Sequence, residues 1–493
     1  MIWIGLIGYF IILVLVGIVS ERKSKKTFDE FATGSRSMSG WVLGFSEATS
    51  IASAFLWLGW IGQGYTDGVV TLWYAVPVVL TTWFIWSYVA PRFRDRAAAT
   101  GAINLAEVLV NEFDDKKKKL KTAYAALLAI ATFYFMFMYA GSQFNAIGTT
   151  FVNLTDGAIS HNAALLIGAG IVILYTYLGG FKAVVWTDFI QSIAVVGSLI
   201  ALVFIVVAKC GGIGAYVQAI GEISNNYGGW KGTFSSSGIV LYILAWISSA
   251  LCFLGAPHAA VRWLATASKK DCYQAGLIAT FFQGIRMVLP IMIGMGARVL
   301  FGDTIESSQD TIFVVLNNLT SPLFTGIVLA GILAATMSTA DSQFLEAVNT
   351  FCVNIYKNLI KKGDVEEQKL FKLSKLMVIV VAVLAVLGAL LRPDTIFGGV
   401  QYAYIGLGSM FGPTLVMMLF FRKQMTLEGC FAGGLIGSIG FVIFSNMISA
   451  GVFPEAFVGF VSSRESLVIF PLIVVVTIVC NVVFKEKDDT LAK

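Results

Sequence analysis

Thirteen apolar stretches, separated by loops that carry most of the charge, divide this chain from end to end. They run at about 2–20, 40–62, 69–91, 122–146, 164–178, 184–208, 238–260, 274–300, 321–347, 376–391, 394–421, 426–450 and 467–484. A helix that crosses a bilayer needs ~20 mostly apolar residues. Most of the stretches meet that length; the fifth is short. Charged residues are 13% of the chain and hydrophobic ones 57%, whereas a soluble domain carries about 25% charge. A soluble enzyme, a disordered chain and a nucleic-acid binder are thereby excluded. Within lipid each backbone polar group needs an internal partner, which a helix supplies on its own. The expected fold is an all-α integral membrane protein of about 13 transmembrane helices, one membrane domain over residues 1–493.

The loops give the direction of the chain. Lys and Arg collect in cytoplasmic loops. Loops after odd-numbered spans hold 28 of the 34 basic residues. The opposite side holds only Lys209, Lys231, Arg298, Arg392 and Arg464, and Arg286 lies inside the eighth span. This alternation predicts a multi-pass protein of the cell membrane with its N-terminus outside and its C-terminus in the cytoplasm. The run Lys116 to Lys119 reads as a cytoplasmic anchor. The net charge of +5 then records orientation and does not point to an acidic partner. Arg22, Lys23, Lys25 and Lys26 follow the first apolar run, with no basic residue before it. A cleavable signal has the opposite order, so the run reads as a retained helix. The six cysteines are isolated, and the histidines are only His161 and His258. Neither a disulfide framework nor a metal cluster is indicated, and no obligate protein partner is evident.

Charges at membrane depth are costly and usually functional. Glu47, Asp188, Arg286, Asp341 and Glu346 fall in spans two, six, eight and nine. Two spans read as broken helices. The second carries Ser46 to Ala54 followed by Gly59, Gly62 and Gly64; the seventh carries Ser248-Ser249 and Gly255-Ala256-Pro257. Proline lacks an N–H and disfavours helix just before it. Irregular backbone survives at this depth only where it lines a cavity or is buried in protein. Interrupted helices in matching positions of two halves mark an inverted-repeat transporter. Spans two and seven are five apart, which fits repeats of spans 2–6 and 7–11. Tight helix contact through Gly and Ser is the competing reading. In the ninth span, Ser338, Asp341 and Ser342 share a face, with Thr339 beside them. Such oxygen clusters suit hard cations; hydroxyls bonding back to their own helix are the alternative.

These residues resemble the sodium/solute symporter family, most of all its sodium/proline branch. The resemblance rests on Gly34-Ser35-Arg36-Ser37-Met38, Leu174 to Phe181, Trp186-Thr187-Asp188, Gly255-Ala256-Pro257-His258, Ala334 to Thr339 and Phe411-Gly412-Pro413. It implies a leucine-transporter-like core of two inverted five-helix units, at 40–208 and 238–421. The stretch 2–20 and the last two spans, 426–484, would be peripheral. It also implies a sodium ion held by the carbonyls of Thr49, Ala52 and Ala335 and the hydroxyls of Ser338 and Thr339. Asp188, Asp341 and Ser342 are the further ion-path candidates. The implied solute pocket comprises Ser53, Ala54, Tyr139, Ser249, Phe253, Pro257 and Gln343.

The pocket departs from the branch at three places. Ser249 and Phe253 stand where the branch has Trp and Tyr, and Ile51 stands where it has an acid. Asp341 replaces a small polar residue and is a candidate to compensate. The expected function is sodium-coupled symport of a small organic solute by alternating access, an amino acid such as proline first. Another organic acid, a vitamin or a sugar, and coupling to protons, are the alternatives within that class. A channel, or a transporter-like sensor, is the alternative from another class. A sensor would carry a long signalling domain after its last span. An intramembrane enzyme finds no support, since His258 has no Ser or Cys arranged beside it as a nucleophile.

Overall fold

The computed structural model describes residues 2–155, 157–391, 396–461 and 464–485. Arg392, Lys487 and Lys493, three of the basic residues counted above, lie outside the described residues. Each of the thirteen apolar stretches falls on a helix or an interrupted helix. Among the described residues the only extended pairing is an isolated bridge between Met38 and Thr266.

The first span is Ile2–Lys23. The second is Gly40–Ser50, a break, then Phe55–Trp60 and Ile61–Asp67. It extends beyond the expected end at 62. The third passes through Ala75–Phe84 and Ala90–Thr100, and the fourth is Lys118–Leu154. Spans five and six form His161–Lys209, broken at Gly180. The seventh is Ser236–Leu251 and Cys252–Gly255, then Pro257–Ala265. Lys269–Phe301, Pro322–Asn349, Glu367–Leu391 and Ile396–Phe421 are spans eight to eleven. The twelfth joins Leu427–Leu435 to Phe441–Ser449, and the thirteenth is Ser466–Phe484.

Ten continuous segments among the described residues are long and apolar enough to cross a membrane. The number falls below thirteen because Phe55–Thr100 and His161–Lys209 each join two stretches, and Ile2–Lys23 is not among them. The fifth span is not short after all. It starts at His161 and runs to Gly180, whose φ of 56° and ψ of −148° end it. A side chain is strained in that region of backbone space and glycine is not. The segment 209–237 also contains a helix, Ile213–Ile223.

The ninth span is the hub. Its most apolar window is 83% buried, against 28% for the thirteenth. It packs on the fourth span and on the fifth–sixth helix. Ala334, Ala335 and Ala340 are fully buried, and such small residues let helices approach in the absence of a hydrophobic drive. The eighth span packs along both halves of the second. A Cβ at Gly294 would collide with the Ile61 carbonyl, so the side chain is excluded there. At one end of the bundle, Met38 N–H donates to the Ala265 carbonyl at 3.0 Å, and Ala267 N–H donates to Met38 at 3.1 Å. The entry of the second span is thereby tied to the exit of the seventh.

Candidate cation and solute site

The second span breaks at Ile51 to Ala54. Ser53 there has φ +52°, a left-handed conformation that non-glycine residues rarely take. Such outliers persist where the surroundings over-determine them. Here Ser53 N–H donates to Thr339 Oγ1 at 2.9 Å, Ala54 N–H to Gln143 Oε1 at 3.2 Å, and Ala52 N–H to the Thr49 carbonyl at 2.9 Å. The broken segment is thus held by the fourth and ninth spans.

Ser338 Oγ donates to the Thr49 carbonyl at 3.1 Å and to the Ala335 carbonyl at 3.0 Å. Thr339 Oγ1 donates to Ala335 at 3.0 Å. The two readings of this segment therefore coexist: its hydroxyls bond back to their helix, and they also reach across to the broken span. Thr49, Ala52, Ala335, Ser338 and Thr339 converge and are all buried. Their oxygens are neutral. No group of three or more His, Cys, Asp or Glu that could hold a metal occurs among the described residues. A set of neutral oxygens fits a monovalent hard cation and not a transition metal.

Toward the Arg262 end lies a charged network. Arg262 is 1% exposed. Its Nη2 meets Asp188 Oδ2 at 2.6 Å and Ser342 Oγ at 2.8 Å, its Nε donates to Ser46 Oγ at 2.8 Å, and its Nη1 to the His258 carbonyl at 2.7 Å. Ser46 Oγ also donates to Asp188 at 2.6 Å. One guanidinium thus joins spans two, six, seven and nine. Counting Arg262 with a loop is corrected: the seventh helix continues to Ala265 and carries it inward. Asp188 touches the cation-site residues only through its carbonyl, which accepts from Thr49 Oγ1 at 3.3 Å. Its carboxylate belongs to Arg262.

Asp341 lies apart from Ile51 and the central cavity. Its carboxylate accepts from Tyr175 on the fifth span at 2.6 Å and from Ser342 at 3.1 Å. Ser342 also bonds the Ser338 carbonyl at 2.9 Å, so it bridges the network and the cation site.

The central cavity holds about 40 Å³, room for about three waters. Ser53, Tyr139 and Phe253 line it, as expected from the sequence. Ala54, Ser249, Pro257 and Gln343 do not. Ser249 lends its carbonyl to Tyr404 Oη at 2.8 Å. Pro257 starts the second half of its span. Gln343 is fully buried, with both amide atoms lacking a hydrogen-bond partner. The sequence reading missed Tyr74, Gln401 and Tyr404 on the cavity wall and placed Arg286 only at membrane depth. His258 lines both this cavity and a smaller one of about 10 Å³ beside Arg262, Ser342 and Glu346. At the other end Trp60, Tyr74 and Trp246 interlock, with ring centroids 4.6, 4.4 and 5.7 Å apart. Aromatic rings thus stand on one side of the cavity, and His258 connects it to the charged network on the other.

Residues 31–437 match the sodium:solute symporter family. The chain belongs to that family. The high-affinity proline transporter PutP of Bacillus subtilis is 30% identical over 461 residues, 92% of this chain and 94% of the relative. The sodium/proline symporter of Escherichia coli is 28% identical over 474 residues, 94% and 91% of the two chains. A sodium-coupled sialic acid symporter solved in a substrate-bound outward-open state superposes with a TM-score of 0.77 at 18% identity, over 100% of this chain and 98% of that one. Mhp1, a nucleobase-cation-symport-1 family transporter in a closed conformation, gives 0.52 at 16% identity, over 93% and 96%. The fold is the leucine-transporter-like one. As a member of this family the protein is a multi-pass transporter of the cell membrane. It is not an enzyme: it couples movement of a small solute to sodium by alternating access.

Proposed function

We propose that this chain imports proline or an equally compact amino acid with sodium. The sodium ion sits among the carbonyls of Thr49, Ala52 and Ala335 and the hydroxyls of Ser338 and Thr339. The observation that carries this reading is the bond from Ser338 on the ninth span to the freed Thr49 carbonyl of the broken second span. A cation shared by the same oxygens ties these two spans together. That stabilises one arrangement over the other, as a conformational shift requires. The curated relatives' substrate supports proline, and the buried wall of Tyr139, Phe253 and Ser53 gives a small apolar ring a place to rest.

Residues 40–208 and 238–421 are the two inverted units, with breaks at Ile51–Ala54 and Ala256 in corresponding spans. The first span and the last two flank them. The basic loops place the N-terminus outside and the C-terminus inside; taking the buried Arg262 out of the count leaves that imbalance intact. On this orientation the Trp60–Tyr74–Trp246 cluster is the outer gate and the Asp188–Arg262 network the inner one. Sodium entry closes the broken span on the ninth, the cavity of about 40 Å³ widens to take the solute, and release requires Arg262 to leave its partners. One cation crossing 100 mV supplies ~2.3 kcal/mol. That supports about 50-fold accumulation before the sodium concentration gradient is added.

The test is uptake of labelled proline into proteoliposomes. An inward sodium gradient should drive concentrative uptake, and an equal potassium gradient should not. Uptake that follows only a proton gradient, or equilibration without accumulation, rejects the proposal.

A further inference from the structure

Arg286 occupies the middle of the eighth span, 3% exposed, and lines the central cavity. One of its donors, Nη2, is taken by the Gln283 side chain three residues earlier. The other two nitrogens, Nε and Nη1, have no hydrogen-bond partner. Among the described residues no carboxylate forms an ion pair with it. The contrast with Arg262 is direct. That guanidinium is equally buried and uses all three nitrogens on Asp188, Ser46, Ser342 and a carbonyl.

A buried cation is retained at large cost unless an anion meets it. The cavity wall offers none. Facing Arg286 are Ile51, Tyr74, Tyr139, His258, Gln401 and Tyr404, and no Asp or Glu lines the space. The site thus presents a positive charge with free N–H donors beside apolar and aromatic surface. Guanidinium donors match carboxylates in charge and geometry.

We propose that Arg286 anchors the carboxylate of the transported solute, so that the site selects small carboxylates with a compact apolar body and rejects their amides. The inference rests on the chain being a solute symporter and does not depend on the solute being proline.

The test uses the full purified chain in sodium, with binding measured by titration calorimetry. The probes are proline with prolinamide, and cyclopentanecarboxylate with its amide. The wild type should bind at least one acid at least tenfold more tightly than its amide. Arg286→Gln should weaken acid binding by about 100-fold and leave the amide unchanged, the scale for truncating one partner of a buried charge pair. Its stabilisation by sodium should persist, which separates lost recognition from lost folding. Arg286→Lys, which keeps the charge and loses the planar fork, should fall between. The inference is overturned if the wild type binds no acid, prefers the amides, or keeps the same acid-to-amide ratio after Arg286→Gln. If that variant does not fold, the wild-type and Arg286→Lys comparisons decide. Rejection of proline with Arg286-dependent binding of the other acid refutes proline alone. Proline binding with an unchanged ratio refutes Arg286 alone.

Discussion

Asp188→Asn preserves the shape of the Asp188–Arg262 network and removes its negative charge. Arg262 is then a buried cation whose remaining partners, Ser46, Ser342 and the His258 carbonyl, are all neutral. Breaking a buried pair from one side costs about 3–5 kcal/mol. The cost falls on the closed arrangement, because an opened network hydrates the guanidinium. The ratio of closed to open should therefore drop by roughly 10²- to 4 × 10³-fold. The readout is a single cysteine at Asn349, a buried residue of the small cavity beside Arg262, in a background without the six native cysteines. A membrane-impermeant maleimide applied from the cytoplasmic face should label it at least 30-fold faster in Asp188→Asn. Adding Arg262→Gln removes the stranded charge and should slow labelling again, a non-additive result expected of residues in one network. Equal rates in parent and single variant refute the gate. So does a double variant that labels as fast as Asp188→Asn.

Two further outcomes follow from other parts of the fold. Gly294→Val should lower the melting temperature sharply or prevent folding, since its side chain meets the Ile61 backbone; a change under about 1 kcal/mol would mean that the second and eighth spans can part freely. Glu30, in the loop helix Phe28–Thr33, pairs with Lys182 at the turn between spans five and six. Burial raises its carboxyl pKa, but hydrogen bonds from Lys182 and Ser35 and the Lys182 charge outweigh that and hold it below the ordinary value of 4.5. A depressed carboxyl contributes stability that is present above the unfolded pKa and lost as pH falls through the folded one. Thermal melts should thus weaken as pH drops below about 4.5. Glu30→Gln should cost about 2 kcal/mol at pH 7 and flatten that acid limb.

What was legible in the sequence was what local composition records. Spans show as apolar runs because lipid tolerates little else. The breaks at Ile51–Ala54 and Pro257 show because Ser, Gly and Pro cluster where helix is interrupted. The oxygen cluster of Ser338 and Thr339 was visible for the same reason. What was hidden depends on long-range pairing. Arg262 sits at the ragged end of an apolar run, so a charge count assigns it to a loop; its partner Asp188 is 74 residues earlier in the chain. Asp341 reads as a pocket acid until the fifth span supplies Tyr175. The cavity walls from spans three and eleven, Tyr74, Gln401 and Tyr404, carry no local mark, since an aromatic or amide in a membrane helix is equally at home between helices. Ser249 is not on the wall itself; it stands behind it, with its carbonyl accepting from the wall residue Tyr404.

The central claim is that Ser338 and Thr339 hold the coupling ion, and the sodium dependence of transport tests it most directly. Ser338→Ala with Thr339→Ala removes both hydroxyl ligands and leaves the three carbonyls. Initial uptake of proline, or of whichever acid the calorimetry identifies, would be measured in proteoliposomes against external sodium. The account predicts that half-saturating sodium rises at least tenfold, with residual uptake at saturating sodium. An unchanged sodium curve would contradict it and place the ion elsewhere.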